Sequence, residues 1–137
     1  MAKDKIHFIV RRALEKDGWT ITDDPLVLLP LEDNVSVDLG AEKVILAEKG
    51  LEKIAVEIKT FEQPSIIYEF HKALGQYFDY ETALIVSETN RTMFLAVPSG
   101  VYPSFQKSKV ISGSIERIGM RLILVNIDKE EIEQWIK

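Results

Sequence analysis

The chain has no cysteine, which excludes disulfides, thiolate zinc sites and a cysteine nucleophile. Its two histidines, His7 and His71, are too few for a polyhistidine metal centre. Apolar runs such as Leu26 to Leu29 fall far short of the roughly 20 residues needed to span a bilayer, so no membrane segment is expected. Nor does an apolar signal region follow Met1-Ala2-Lys3-Asp4-Lys5, and a cytoplasmic setting is expected. Basic residues are in deficit: 17 Lys and Arg against 22 Asp and Glu give a net charge of -5. That weighs against a simple nucleic-acid coat protein, which is normally basic. It leaves room for an enzyme acting on nucleic acid, because a cluster of catalytic carboxylates itself lowers the total charge. There is no internal repeat, low-complexity tract, Gly/Ser linker, Walker loop, GxSxG elbow or dinucleotide fingerprint.

What is present is globular. The chain has 137 residues, 46% hydrophobic and 28% charged, enough for one domain across residues 1–137 and too few for two ordinary ones. Asp4 is placed to cap a helix whose apolar positions Ile6, Ile9, Val10, Ala13 and Leu14 recur at helical spacing, with Gly18 as its terminator. Trp19 to Thr22 reads as a short strand closed by the turn signal Asp23-Asp24-Pro25. Pro25 and Pro30 argue against a central strand across Leu26–Leu31, and no element is assigned there. Val35 to Leu39 alternates as a strand, and Val44 to Ala47 is a continuous apolar run. Lys49-Gly50 marks a turn before Ile54 to Lys59, which alternates again.

Pro64-Ser65 opens a long helix running to about Val86, with Ile67, Phe70, Leu74, Tyr77, Phe78, Leu84 and Ile85 near a period of 3.6. A strand from Met93 to Val97 ends at Pro98. A helical stretch from Tyr102 to Arg117 has a break at Ser112-Gly113, and Met120 to Asn126 is another strand. For Lys129 to Lys137 two readings stand: a helix, which suits Ile132, Trp135 and Ile136, or a hairpin strand turning at Asn126 to Lys129. The order implies an α/β fold, a mixed sheet with helices packed on it.

The sharpest chemical signal is Glu57-Ile58-Lys59, the one acid-x-lysine triplet in the chain. On a strand, Ile54, Val56 and Ile58 share one face while Ala55, Glu57 and Lys59 share the other. A carboxylate and an ammonium therefore stand side by side, roughly 6 to 7 Å apart by strand rise, beside a small residue. The plain alternative is an exposed charge pair on an amphipathic strand. Asp38 ends the preceding alternating strand on the same face as Ser36. If that strand neighbours residues 54–59, Asp38 and Glu57 converge; otherwise Asp38 merely caps a turn before Gly40. Two carboxylates about 4 Å apart repel by on the order of 4 kcal/mol at an effective dielectric near 20, which favours protonation or a cation between them. Oxygen ligands without cysteine select a hard ion, Mg²⁺ or Mn²⁺. Eighteen residues lie between these acids, enough for a further strand, so Glu48 or Glu42 are alternatives as the second acid. Gln76 and Tyr80, four apart on the long helix, share a stripe with Glu69 and Lys72 that flanks the apolar arc. It is either a helix surface or within reach of the sheet edge. Arg11, Arg12 and Lys16, and separately Lys107 and Lys109, form basic groups suited to phosphate or to solvent.

A strand acid, a Glu-x-Lys strand and then a helix resemble the PD-(D/E)xK nuclease superfamily, with its restriction-endonuclease-like sheet. The resemblance implies that Asp38, Glu57 and the backbone carbonyl of Ile58 hold Mg²⁺. It further implies that Lys59 orients or activates the attacking water and stabilises phosphorane-like charge, as metal-assisted phosphodiester cleavage requires. The RecB-like branch carries a Gln-x-x-x-Tyr pair on the helix that follows, matched here by Gln76 and Tyr80. Val37 stands where the superfamily often has proline, and no residue clearly matches the helix-1 acid of some relatives, for which Asp4 and Glu15 are candidates.

A closer resemblance covers nearly the whole chain. Ala2-Lys3-Asp4, Asp17-Gly18-Trp19-Thr20-Ile21-Thr22, Asp38-Leu39-Gly40-Ala41-Glu42-Lys43, Ala55-Val56-Glu57-Ile58-Lys59, Glu69-Phe70-His71-Lys72-Ala73-Leu74-Gly75-Gln76 and Trp135-Ile136-Lys137 are similar to the XisH family. These are fdxN-element excision controlling factors of cyanobacteria. The resemblance implies a PD-(D/E)xK-like fold and a role in excising a DNA element, with DNA and a companion XisI-type protein as partners and homo-oligomers left open. The recombinase itself is a separate protein. Two roles fit: a Mg²⁺-dependent endonuclease, or a non-catalytic regulatory module on the same fold. His7 and His71 fall within the family-like stretches, His71 as a phosphate or acid–base contact or as an ordinary surface histidine.

Overall fold

A computed structural model describes residues 3–27 and 43–137 of the chain. Asp38 and Glu42, and the strand expected over Val35–Leu39, therefore lie outside the described residues. The elements run α1 (Lys3–Lys16), β1 (Thr20–Val27), β2 (Lys43–Lys49), β3 (Glu52–Ile58), α2 (Ile66–Val86), β4 (Thr92–Pro98), α3 (Tyr102–Lys107), α4 (Lys109–Ile118), β5 (Leu122–Asn126) and β6 (Glu131–Ile136). The six strands form one mixed sheet in chain order, β1-β2-β3-β4-β5-β6. β1, β2 and β3 are an antiparallel meander, β3, β4 and β5 are parallel, and β6 returns antiparallel to β5. The mixed α/β architecture with helices packed on a sheet is as the sequence implies.

Each face of the sheet has its own core. Ile54 and Val56 of β3 join Ile6, Ile9, Val10, Ala13 and Leu14 of α1, with Trp19, Phe94, Ile123 and Val125. On the other face Ala55 meets Phe70, Ala73, Tyr77, Tyr80 and Leu84 of α2, with Leu95, Phe105 and Ile111. The two crossovers, β3–α2–β4 and β4–α3–α4–β5, place their helices on this second face. Crossovers between parallel strands share one hand, which puts consecutive ones on the same side.

Local chemistry fixes the helix ends. Gly18 (φ +94°) ends α1 in a Schellman arrangement: its N–H donates to Glu15 O and the N–H of Trp19 to Leu14 O. Asp4 stands within α1 rather than before it, so it is not the cap that the sequence suggests. Ser65 caps α2, its Oγ accepting the N–H of Tyr68 at 3.2 Å.

Three further expectations are corrected, and one left open between two readings is settled. Asp23-Asp24-Pro25 does not close β1; the strand runs through it, absorbing the misfit in register shifts at Ile21/Asp23 and Asp23/Leu26, as an edge strand tolerates. The helical stretch after β4 breaks at Ser108, whose Oγ caps α4 by accepting from Ile111 N. Ser112-Gly113 stays helical, with Ser112 Oγ donating back to Ser108 O. The C-terminal segment is a strand: Asn126 Oδ1 accepts the N–H of Lys129 at 2.9 Å and so shapes the hairpin turn. Finally, the buried arc of α2 is Phe70, Ala73, Tyr77, Tyr80, Ala83 and Leu84. Ile67, Phe78 and Ile85, placed on the apolar arc by periodicity, face solvent instead.

Candidate functional site

Strand alternation sends Ala55, Glu57 and Lys59 to the α2 face and Ile54, Val56 and Ile58 to the α1 face, as the pattern predicts. Glu57 is the one buried charged residue among those described, 1% exposed. Its Oε1 lies 3.5 Å from Lys59 Nζ. The side chain of Lys59 is 18% exposed, so the pair runs from the sheet interior toward its rim. Carboxylates are almost never fully buried without compensation, so this placement calls for a chemical reason.

The pair sits at the carboxyl end of two parallel strands, with Glu57 opposite Leu95 and Ile58 opposite Ala96. In open α/β sheets this end is where ligands bind. Lys59 N–H donates to Ala96 O at 3.0 Å. By the alternation of a parallel ladder, the intervening Ile58 peptide is then turned away from β4, toward β2.

β2 and β1 lead to the same corner. β2 is antiparallel to β3 with Ile45 opposite Val56, so its first residues enter beside the end of β3 that carries Glu57. Val27 pairs with Lys43. The last residue of β1 and the first of β2 therefore both lie at this corner. Asp38 itself lies outside the described residues, as does Glu42. Glu48, the third candidate for a second acid, is elsewhere: it pairs with Lys53 in the ladder, about 13 Å along β3 from Glu57 by strand rise. Its carboxylate is held by Arg91 at 3.0 Å. Arg91 also donates to the carbonyls of Ile54 and Ala47, which makes this pair a staple between β2, β3 and β4.

α2 covers the Glu57 face. Tyr80 is fully buried in the core of that face and not on the helix surface. Gln76 is half-buried, and both Gln76 Oε1 and Tyr80 Oη are shielded from solvent. Glu69 is half-buried and Lys72 exposed, so the stripe of four divides, its C-terminal members turning inward. Tyr77 is buried as well, and its hydroxyl donates to Met93 O and accepts the N–H of Arg121, each at 3.1 Å. Burial raises its pKa above the ordinary 10.0, opposed mainly by the bond from Arg121.

The chain leaving Lys59 turns at Phe61, whose φ of +57° is uncommon for a bulky residue. Its ring packs edge-on against Phe105 at 4.9 Å, and Phe105 in turn meets Phe70 and Tyr102. This aromatic group fixes the backbone two residues beyond the lysine. Sequence reasoning gives Phe61 no part in the site, because nothing local marks a left-handed phenylalanine.

The basic group on α1 is on the other face, with Arg12 and Lys16 committed to the turn before β6 and Arg11 beside an acid of its own helix. Arg12 pairs with Glu130 at 3.1 Å, Lys16 donates to Lys129 O, and Arg11 lies 3.9 Å from Glu15. Among the described residues no group of three or more His, Asp or Glu stands ready to hold a metal, and no helix is long and apolar enough to cross a membrane.

Fold and site together define a mixed α/β protein with a buried carboxylate–ammonium pair at the carboxyl end of parallel strands. The family model for XisH protein matches residues 1–133. Two solved structures are closely similar along the whole chain. One is an XisH family protein from Nostoc punctiforme, 39% identical with a TM-score of 0.84, covering 98% of this chain and 100% of that one. The other is an fdxN element excision controlling factor protein from Anabaena variabilis, 38% identical with the same TM-score and coverage. No curated protein matches significantly. The chain belongs to the XisH family, as its motifs lead one to expect.

Proposed function

We propose that this chain controls excision of a DNA element, as the Anabaena variabilis relative is named for doing, and does so through a PD-(D/E)xK nuclease-like site that acts on phosphodiester bonds. The observation that carries the reading is the burial of Glu57 against Lys59 at the carboxyl end of β3. A solvent-shielded carboxylate beside a more exposed ammonium is a costly arrangement for stability alone and a useful one for metal-assisted hydrolysis.

The donor set suits a hard cation. Glu57, the Ile58 carbonyl and Asp38 would hold Mg²⁺ or Mn²⁺ with oxygen alone, the chemistry those ions favour. When bound, the ion supplies Lewis-acid stabilisation of charge on the phosphoryl oxygens. Lys59, tied to Glu57 at one end and reaching the rim, orients the attacking water and meets developing negative charge. Gln76 and Tyr80, on the helix over the same face, would complete the site from above. In this reading the sheet is restriction-endonuclease-like, DNA is the substrate, and a companion XisI-type protein acts with it.

The test is Mn²⁺ binding by calorimetry together with nicking of duplex and branched DNA in Mg²⁺. Binding and cleavage by the parent, both lost in Glu57→Gln, and cleavage alone lost in Lys59→Ala, support the reading. Salt-sensitive DNA binding without metal binding or cleavage would replace it with a non-catalytic regulatory module on the same fold.

A further inference from the structure

Among the described residues the outward face of α2 has no partner, and it carries several exposed large apolar side chains. Taking Gly75 as its crown, helix geometry places Tyr68, His71, Lys72, Phe78, Asp79, Thr82 and Val86 within about 60° of that line, with Ile85 just outside. Phe78 is 58% exposed and Ile85 69%, and Tyr68 and Val86 are exposed to a similar degree. Scattered apolar side chains on a surface are ordinary, whereas four large ones gathered along one side of one helix, with charged residues among them, point to an interaction site.

Two further observations say what covers it. Gly75 sits in the middle of a 21-residue helix, where glycine costs about 1 kcal/mol relative to alanine. A Cβ there would meet nothing within 4 Å among the described residues, so their packing does not call for glycine; close approach of another backbone would. Beside it runs a groove of about 430 Å³ lined by His71, Leu74, Gly75, Phe78, Asp79 and Ile118 of α4. The charges on this face are also self-complementary. His71 and Lys72 lie three to four residues before Gly75, and Asp79 lies four after it. All three are exposed, and none has an ion-pair partner among the described residues.

We propose that this face docks a second copy of the chain, the two α2 helices crossing antiparallel about a two-fold axis at Gly75. A two-fold contact requires that if one residue meets another, the reverse also holds. The axis at Gly75 satisfies that: Asp79 of each copy comes beside His71 and Lys72 of the other. Tyr68 falls opposite Thr82, and each Phe78 enters the groove next to Ile118 of the other copy. The absence of glycine side chains at the crossing lets the helices approach more closely than the usual 8 to 10 Å. This inference stands apart from the proposed chemistry, since the docking face points away from Glu57.

The chain's lack of cysteine makes the test direct. Gly75→Cys introduces a single thiol at the axis, where the two Cα atoms fall near the separation a disulfide bridges. On mild oxidation this variant is expected to form a covalent dimer in high yield. Phe8→Cys, also at an exposed position but on α1, is expected to stay monomeric at the same concentration. By sedimentation, Phe78→Glu weakens dimerisation at least tenfold. Asp79→Lys weakens it as well, and adding Lys72→Asp to Asp79→Lys restores it. A parent that is monomeric at every concentration, including one whose α2 face captures a different protein, would overturn the proposal. So would a dimer indifferent to Phe78→Glu whose Gly75→Cys form does not cross-link.

Discussion

The two faces of the sheet are built to different rules. On the α1 face the buried side chains among the described residues are apolar throughout, from Ile6 to Val125, and Trp19 lies against Trp135 at 5.6 Å while Phe94 meets Trp135 edge-on at 5.1 Å. On the α2 face the same strands carry Glu57 and, facing them, Tyr77 and Tyr80. One strand, β3, contributes to both, Ile54 and Val56 to one and Ala55 and Glu57 to the other. The α1 face can be optimised for packing alone. The α2 face accepts buried oxygen atoms, each of which needs partners to avoid a cost of about 1–3 kcal/mol, and it is here that chemistry is available.

The difference can be broken most forcefully on the apolar side. Trp19→Ala removes a nearly buried ring from the cluster with Trp135 and should cost about 3–5 kcal/mol in denaturant unfolding. Mn²⁺ binding by whatever protein remains folded should be unchanged. A loss of under 1 kcal/mol would mean that the α1 face is not the stabilising one.

Tyr77→Phe tests the polar side at the next magnitude. The carbonyl of Met93 and the N–H of Arg121 both lose the hydroxyl, so a loss of about 1–3 kcal/mol is expected. The pH dependence has a definite sign. Burial raises this phenol's pKa in the folded state above 10.0, so the unfolded chain gives up the proton first. Its contribution is complete below pH 10 and is lost as the pH rises through the folded value. The parent's stability should therefore fall in alkaline solution more steeply than that of Tyr77→Phe, measured by urea unfolding between pH 8 and 11.

Arg91→Met, at the far end of β3, should cost about 1 kcal/mol. Glu48 is 34% exposed and rehydrates once the guanidinium is gone, which limits the loss to a partly screened pair and the bonds to two carbonyls. Metal binding should not change. A large loss of metal affinity in Arg91→Met would reinstate Glu48 as a ligand despite its place in the ladder.

These contrasts also mark how far the sequence can be read. Elements with strong local signals are found where periodicity puts them: α1 through its Ile6–Leu14 stripe, α2 from its Ser65 cap to Val86, β3 with its two faces sorted correctly. The division of Glu57 and Lys59 from Ile58 follows from alternation alone. What periodicity misjudges is α2, whose apolar residues nearly encircle the helix. Only the sheet decides that Tyr80 turns in and Phe78 out, because the two crossovers fix which side of α2 meets β3 and β4. Asp23-Asp24-Pro25 misleads for a similar reason: turn chemistry is local, while an edge strand can absorb it in bulges. The C-terminal hairpin is compatible in sequence with a helix as well, and it is the bond from Lys129 N–H to Asn126 Oδ1 that turns the chain into a strand. Of the site, the pair was legible and its burial was not, since burial depends on α2 lying over it.

The smallest effect on stability is expected at the most consequential residue. Glu57→Met substitutes a flexible apolar side chain of similar length for a buried carboxylate. Removing a buried charge relieves its desolvation. Lys59, left behind, is partly exposed and can swing its ammonium into water while its methylenes stay packed. Gain and loss thus nearly cancel, and unfolding free energy should change by less than about 1 kcal/mol in metal-free buffer. In millimolar Mn²⁺ the parent should gain stability by mass action, and Glu57→Met should gain none. A loss of 3 kcal/mol or more without metal would make Glu57 a structural residue, and the two faces of the sheet would then be alike in purpose though not in composition.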